Sequence, residues 1–285
     1  MPNRRGFTLV EILVAMVIML VVTGSMYTLL NTTQRLSRAQ SERVDLQSNV
    51  RTGSLVIPSE LRELSTVAGG PVDKNDILFM NATSITYRAM RGIGFVCSVP
   101  TLGEIRIKSA TFSGLRQPVP VRDGAYVFSD GDPDKSGDDV WLPVPIAAVS
   151  MNKCGDGVSD AITLTIAPVG LLSVPIGTPV RAYEVMELKL YVADGKSWLG
   201  ARAVSAGELA AQPMLGPLAD GDGLGLAYFD KDGVVTADVK QVKSIQVTMR
   251  GVTDQAINAR GGSGTMMYVG DTLVTGIALR NAVWP

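Results

Sequence analysis

The chain opens with an apolar stretch that is long enough to cross a lipid bilayer as a single helix. Between Phe7 and Leu30 the only charged side chain is Glu11, and residues 12–22 are apolar without interruption. A helix over residues 7–30 would be about 36 Å long, which exceeds the roughly 30 Å hydrocarbon core of a bilayer. We therefore predict a transmembrane helix over residues 7–30.

A short basic segment, residues 1–6, precedes this helix and contains Arg4 and Arg5. By the positive-inside rule it stays in the cytoplasm, and the rest of the chain lies outside the membrane. In a secretory signal the small residue of the cleavage site follows the apolar region, whereas here Gly6 comes before it. Cleavage after Gly6 would remove a leader and keep the membrane helix.

Glu11 is unusual because a carboxylate in hydrocarbon costs several kcal/mol unless it is protonated or paired. One interpretation is a glutamate at the helix start, where the helix dipole favours negative charge and water is close. The other is that Glu11 pairs with the new N-terminal amine of Phe7 in a neighbouring subunit. Such a pair would select lateral assembly in register.

Residues 6–11, Gly-Phe-Thr-Leu-Val-Glu, follow a basic leader. This segment resembles the processing signal of type IV pilins and type II secretion pseudopilins. The resemblance implies that a prepilin peptidase cuts between Gly6 and Phe7 and methylates Phe7. It also implies that Glu11 is the assembly glutamate, and that the protein is a filament subunit rather than an enzyme.

A second resemblance lies towards the C-terminus. Tyr-Glu-Val at 183–185, Leu-Tyr at 190–191, Leu-Ala-Tyr-Phe-Asp-Lys-Asp-Gly at 226–233, a Val-rich run at 242–250 and Leu-Arg-Asn at 279–281 follow in order. This series is similar to the J-type minor pseudopilins and the PilW-type minor pilins. It implies other minor and major pilins or pseudopilins and an inner-membrane assembly platform as partners, besides the prepilin peptidase and the lipid bilayer.

Beyond the membrane segment, apolar residues recur at near-heptad spacing, which is typical of an amphipathic helix. They are Leu36, Ala39, Leu46, Val50, Ile57, Leu61 and Leu64. We predict that the helix extends over residues 31–68 and that its stripe packs on a globular domain, neighbouring filament helices, or both. Pro58 should kink it or start a fresh turn.

Residues 69–285 show short alternating runs separated by Asp-Gly and Gly-Gly turns, which favours a periplasmic β-rich domain. The region 206–218, rich in Ala and Pro, is predicted to be a short helix or a covering loop. The fold class is therefore α+β, a long N-terminal helix packed on a mostly antiparallel sandwich or open barrel, as in pilins. Strands are predicted at 77–79, 84–88, 104–112, 125–128, 140–149, 161–166, 181–192, 225–229, 243–250 and 271–279.

The loop at residues 130–139 gathers alternating carboxylates, the ligands that calcium prefers. Its candidate ligands are Asp130, Asp132, Asp134 and Asp138. Lys135 and Trp141 occupy the positions where an EF-hand requires Gly and Glu, so the loop is either a looser calcium site or a solvated acidic turn. No other cofactor is expected.

Cys97 and Cys154 are the two cysteines of the chain. Outside the cytoplasm such a pair can oxidise, so the alternatives are a disulfide and two buried thiols.

The composition disfavours several functions. The chain has no histidine, which removes the commonest general base and zinc ligand. With 26 Lys+Arg against 27 Asp+Glu, it lacks the basic excess of a nucleic-acid protein. The alternative to a filament subunit is a membrane-tethered periplasmic enzyme or ligand-binding module with an uncleaved anchor.

Overall fold

A computed structural model describes residues 8–66, 75–129, 132, 134–135, 140–166, 174–258 and 265–280. The chain divides into two compact units. The first contains Met1–Ser48 and Val252–Asp271, and the second contains Asn49–Gly251 and Thr272–Pro285.

One helix, α1, runs over Leu9–Leu61 and contains 53 residues. It continues through Pro58 and ends at Leu61, before the predicted boundary at residue 68. The apolar stripe of its second half is buried at Ala39, Leu46, Val50, Ile57 and Leu61, and Leu64 just beyond the helix is buried too. Leu36, the first residue of the predicted stripe, is 44% exposed.

Strands follow the helix in chain order. They are β1 (Ile77–Met80), β2 (Ser84–Ser98), β3 (Glu104–Lys108), β4 (Ser113–Gly114), β5 (Asp123–Ser129), β6 (Val140–Lys153), β7 (Asp160–Ile166), β8 (Pro179–Ala193), β9 (Lys196–Ala203), β10 (Gln212–Leu218), β11 (Leu224–Phe229), β12 (Ser244–Val252), β13 (Ile257–Asn258), β14 (Met266–Met267) and β15 (Gly270–Ala278).

Two sequence predictions beyond residue 100 were wrong in detail. The strand predicted at 104–112 ends at Lys108, where a 3₁₀ turn over Ser109–Thr111 takes over. The region 206–218 contains β10 rather than a helix or covering loop. Its two prolines are tolerated because the pairing of β10 with β9 shifts register on both sides of Leu215, and prolines are accepted at such irregular positions.

A closed circuit of six strands lies within the described part of the second unit. Strand β2 pairs with β3, β3 with β7, β7 with β6, β6 with β5, β5 with β8, and β8 with β2, all antiparallel. Each strand contributes to one buried cluster, so the predicted sandwich or open barrel is locally a closed barrel. The cluster contains Val96, Ile105, Ile107, Ala125, Val127, Val144, Ile146, Ile162, Leu164, Ile166 and Val180.

Strands β2 and β8 also belong to a second layer. The sheet order continues from β8 through β9, β10 and β12 to β11, while β1 pairs with β2 and β15 with β12. The apolar face of this sheet forms a separate core with the end of α1, where Ile57 and Leu61 are buried. The helix is therefore packed on a largely antiparallel sheet, which confirms the α+β, pilin-like prediction.

Gly53 lies where α1 packs closely on this sheet. A Cβ at this position would lie 2.1 Å from Met249 Cε and 3.2 Å from Leu215 Cδ1. Met249 is itself buried, so it has little room to move aside. A larger side chain at position 53 would therefore overpack the core.

We expect Gly53→Leu to lower the free energy of unfolding of the second unit by about 1–3 kcal/mol, the usual cost of overpacking. Denaturant unfolding of the detergent-solubilised chain, followed by tryptophan fluorescence, measures this. Gly24→Leu is the matched control, because nothing lies within 4 Å of a Cβ at Gly24 of the same helix. Equal midpoints for the two variants would contradict the packing argument.

Candidate functional site: the N-terminal helix

A reciprocal cap between Thr8 and Glu11 starts α1, and of these two residues only Glu11 was predicted to be a site residue. Thr8 precedes the helix, and its backbone N–H and its hydroxyl donate to Glu11 Oε2 at 2.8 and 3.0 Å. The backbone N–H of Glu11 points back to Thr8 Oγ1 at 3.3 Å. This is a capping box, which satisfies amide donors that a helix start otherwise leaves unpaired. Gly6 and Phe7 lie outside the described residues.

The following turns of α1 are apolar and uncovered. A window of 18 residues has a mean hydropathy of 2.4, and none of it is buried within the structure. Leu9 is 74% exposed and Leu20 is 73% exposed. A helix of this length and composition is able to cross a membrane, and the burial of such side chains in lipid would remove this apolar surface from water.

Hydroxyl groups within this apolar segment are satisfied locally. Thr23 Oγ1 donates to the carbonyl of Met19 at 2.7 Å, and Ser25 Oγ donates to the carbonyl of Val21 at 2.8 Å. Since lipid offers no hydrogen-bond partners, such back-bonding makes these side chains compatible with a membrane.

The carboxylates of the predicted calcium loop are only partly described. Asp130 and Asp138 lie outside the described residues. Asp132 forms an ion pair with Lys135 Nζ at 2.5 Å, and its carboxylate also accepts the backbone N–H of Asp134 at 3.2 Å. These contacts lower the pKa of Asp132, Lys135 being the larger cause. In the part of the chain that the structure describes, no group of three or more metal-ligating side chains is found. Calcium binding stays a prediction.

The structure joins Cys97 and Cys154 in a disulfide. Cys97 belongs to β2, and Cys154 directly follows β6. These two strands are not neighbours in the closed circuit, because β3 and β7 lie between them. The bond therefore fastens the barrel across two intervening strands.

A buried charge cluster was not found from the sequence. The side chain of Glu184 is 3% exposed and lies against three arginines. Arg91 Nε donates to Glu184 Oε2 at 3.0 Å, Arg116 donates at 3.2 Å, and Arg122 binds Oε1. Arg116 also pairs with the fully buried carboxylate of Asp123. The arginines lie 93, 68 and 62 positions from Glu184, so no local pattern could have indicated the cluster.

Comparison with known proteins gives one match. The model of the prokaryotic N-terminal methylation motif matches residues 1–27. No curated protein and no solved structure matches the chain. The matched segment contains the predicted leader and cleavage position, the capping box and most of the uncovered apolar turns. The chain therefore carries, at the start of a long helix whose first turns are apolar, the prepilin methylation motif that marks type IV pilin- and pseudopilin-like proteins.

Proposed function

We propose that this protein is a minor pilin or pseudopilin, a structural subunit of a type IV pilus or a type II secretion pseudopilus. The observation that carries the proposal is the methylation motif joined to an apolar helix that the rest of the described chain leaves uncovered. In this proposal the chain is held in the bacterial inner membrane with its β-rich domain in the periplasm. Its work is assembly rather than catalysis.

Processing and assembly follow from the N-terminal residues. A prepilin peptidase cuts after Gly6 and methylates the amine of Phe7, so a positive terminus is created beside the apolar helix. The helix then passes from lipid into a filament, where it packs against the helices of other minor and major subunits. An inner-membrane platform supports this transfer. The free energy of lipid burial is retained because one apolar environment replaces another.

Glu11 is suited to select the register of this packing. Both hydrogen bonds from Thr8 fall on Oε2. Oε1 accepts none from the described residues, so it can receive the amine of Phe7 from an adjacent subunit. Because a pair of opposite charges in a low-dielectric environment is strongly favoured over two separate charges, misaligned helices would be rejected.

The mass of the intact protein from native envelopes tests the processing step. We expect a mature chain that begins at N-methyl-Phe7, without residues 1–6. Replacement of Gly6 should leave the precursor uncut and serves as the control for the assignment. A functional protein that retains its leader would instead favour a membrane-tethered enzyme or ligand-binding module.

The role of Glu11 is tested by incorporation into filaments. We expect Glu11→Ala to be cleaved normally and to be depleted from filaments at least tenfold, measured by quantitative immunoblotting of sheared filaments. Thr8→Val is the matched control, because it removes the hydroxyl of the cap and keeps the carboxylate. If Thr8→Val caused the same depletion, Glu11 would act through the helix cap rather than through a pair with Phe7.

A further inference from the structure

Two arginines lie just beyond the apolar segment of α1. Residues 9–30 span about 33 Å as a helix, close to the thickness of the hydrocarbon core. Arg35 comes five positions after Leu30 and Arg38 eight positions after it, which places their Cα atoms about 7.5 and 12 Å further along the axis. The headgroup region on each side of a bilayer is roughly 5–8 Å thick. Arg35 is therefore at its outer limit and Arg38 just beyond it.

The direction of helical side chains brings both guanidinium groups back towards the membrane. In an α-helix the Cα–Cβ bond tilts towards the N-terminus, and long side chains follow that direction. Here the N-terminal direction is the direction of the apolar segment. Long arginine side chains can thus reach the headgroup layer from Cα positions outside it.

Neither arginine has another use in the described structure. Both are exposed, and within the described ranges neither forms an ion pair or donates a side-chain hydrogen bond. Glu42, one turn beyond Arg38, accepts the backbone N–H of Gln255 at 3.1 Å. The guanidinium groups are therefore available for an external anion.

The face of α1 that contains Arg38 also carries the side chains expected at a membrane boundary. Tyr27 is 69% exposed, and Asn31, Gln34 and Arg38 follow it at intervals of four, three and four positions, which places all four on one face. Tyrosine is enriched where hydrocarbon meets headgroups. The order from the apolar side outward is thus aromatic, amide, amide and guanidinium, which matches the polarity gradient of a bilayer interface.

The distribution of charge also requires an explanation. Arg4 and Arg5 precede the membrane segment, whereas Arg35, Arg38 and Arg43 follow it within fifteen positions. A flank that faces the periplasm is normally poor in arginine, because positive charge there opposes the orientation. The arginines after the membrane segment therefore do not serve to orient the helix in the membrane. Their position is consistent with the binding of an anion.

We propose that Arg35 and Arg38 bind phospholipid phosphate groups at the periplasmic surface of the inner membrane and fix the depth of the unassembled subunit. This inference rests on the proposed function for its orientation. Guanidinium groups form short, paired hydrogen bonds with phosphate, so each can hold one headgroup. Transfer into a filament must break these contacts, which makes them a property of the membrane-held subunit alone.

The test uses the full chain in vesicles of phosphatidylethanolamine and phosphatidylglycerol, with its arginine side chains isotopically labelled. Solid-state dipolar coupling between the guanidinium carbons and the lipid phosphorus detects pairs about 4 Å apart, the separation that such hydrogen bonds impose. We expect an Arg35→Gln, Arg38→Gln double variant to lose a clear part of the coupling that the native chain shows, the remainder coming from Arg4 and Arg5 before the membrane helix. Arg51→Gln, an exposed arginine further along the same helix, should leave the coupling unchanged.

Absence of coupling in the native chain, or equal coupling in the native chain and the double variant, would overturn the inference. Protease protection of the vesicles and cleavage by prepilin peptidase are measured on the same samples. Correct orientation and cleavage without phosphate coupling would refute the headgroup contact alone. Failure of cleavage with the coupling intact would refute the proposed function alone.

Discussion

Glu184→Ala is expected to lower the free energy of unfolding of the second unit by about 3–5 kcal/mol, because removal of one partner leaves buried charge uncompensated. Glu184 accepts from Arg91, Arg116 and Arg122, and the side chain of Arg91 is only 12% exposed. Arg91 also lies 3.7 Å from Glu60 of α1, which compensates only part of its charge. The variant therefore places uncompensated positive charge at the junction of the helix and β2.

Denaturant unfolding followed by tryptophan fluorescence measures this loss. Asp160→Ala is the control, because its ion pair with Lys153 is exposed and such pairs contribute less than about 1 kcal/mol. If both variants were equally stable, the buried cluster would contribute no more than a surface pair.

The same cluster makes stability depend on pH. Burial raises the pKa of Glu184, but the hydrogen bonds and charges of Arg122 and Arg91 outweigh it, so the pKa lies below the ordinary value of 4.5. A carboxyl with a lowered folded-state pKa stabilises fully above its unfolded pKa, and this stability is lost as pH falls. Below about pH 4.5, the denaturant concentration at the midpoint of unfolding should therefore decrease more steeply with falling pH in the native chain than in Glu184→Gln. Parallel profiles would contradict this.

Loss of the disulfide is expected to cost about 4 kcal/mol, the chain-entropy value for a loop of this length. Cys97 and Cys154 are 57 positions apart, and the loop between them contains β3, β4, β5 and β6. Without the bond the unfolded chain gains the freedom of that whole segment. The double variant Cys97→Ser, Cys154→Ser should therefore unfold at lower denaturant concentration than the native chain.

Reduction of the native chain is the matched control, since it should reproduce the destabilisation without changing the sequence. Alkylation of the protein from native envelopes tests the oxidised state directly. Two freely alkylated thiols under non-reducing conditions would show that the bond does not form in the cell, and the expected stability difference would then disappear.

Sequence patterns predicted the helix and most strands because these elements depend on local periodicity. The apolar run before Leu30 and the stripe from Ala39 to Leu61 follow directly from residue spacing. The turn at Asp194 and Gly195 was also predicted from the sequence, and both residues have positive φ as such hairpin turns require.

The strand predicted at 84–88 corresponds to β2. The strand instead runs to Ser98. A Cβ at Gly92 would lie 2.5 Å from Phe112 Cζ, so this glycine makes room for an aromatic side chain that is distant in sequence. Such an approach depends on the tertiary fold and leaves no local signal.

The closure of the barrel and the charge cluster could not be predicted from the sequence for the same reason. Closure requires β2 to pair with β8, and the same pairing places Arg91 of β2 beside Glu184 of β8. In the N-terminal helix, by contrast, Thr8 and Glu11 are three positions apart, so their contact depends on the local sequence alone.

The path of the backbone around the barrel has an evolutionary consequence. Phe95 of β2 and Pro179 of β8 are direct register partners, so the chain departs and returns at adjacent points. The segment between these two residues could be replaced by a short hairpin connection. The layer that holds the helix would then keep its strands. The carboxylate of Glu184 joins Arg91 on the retained side to Arg116 and Arg122 on the exchanged side. Proteins with this fold could therefore change the barrel and leave the helix-bearing scaffold unchanged.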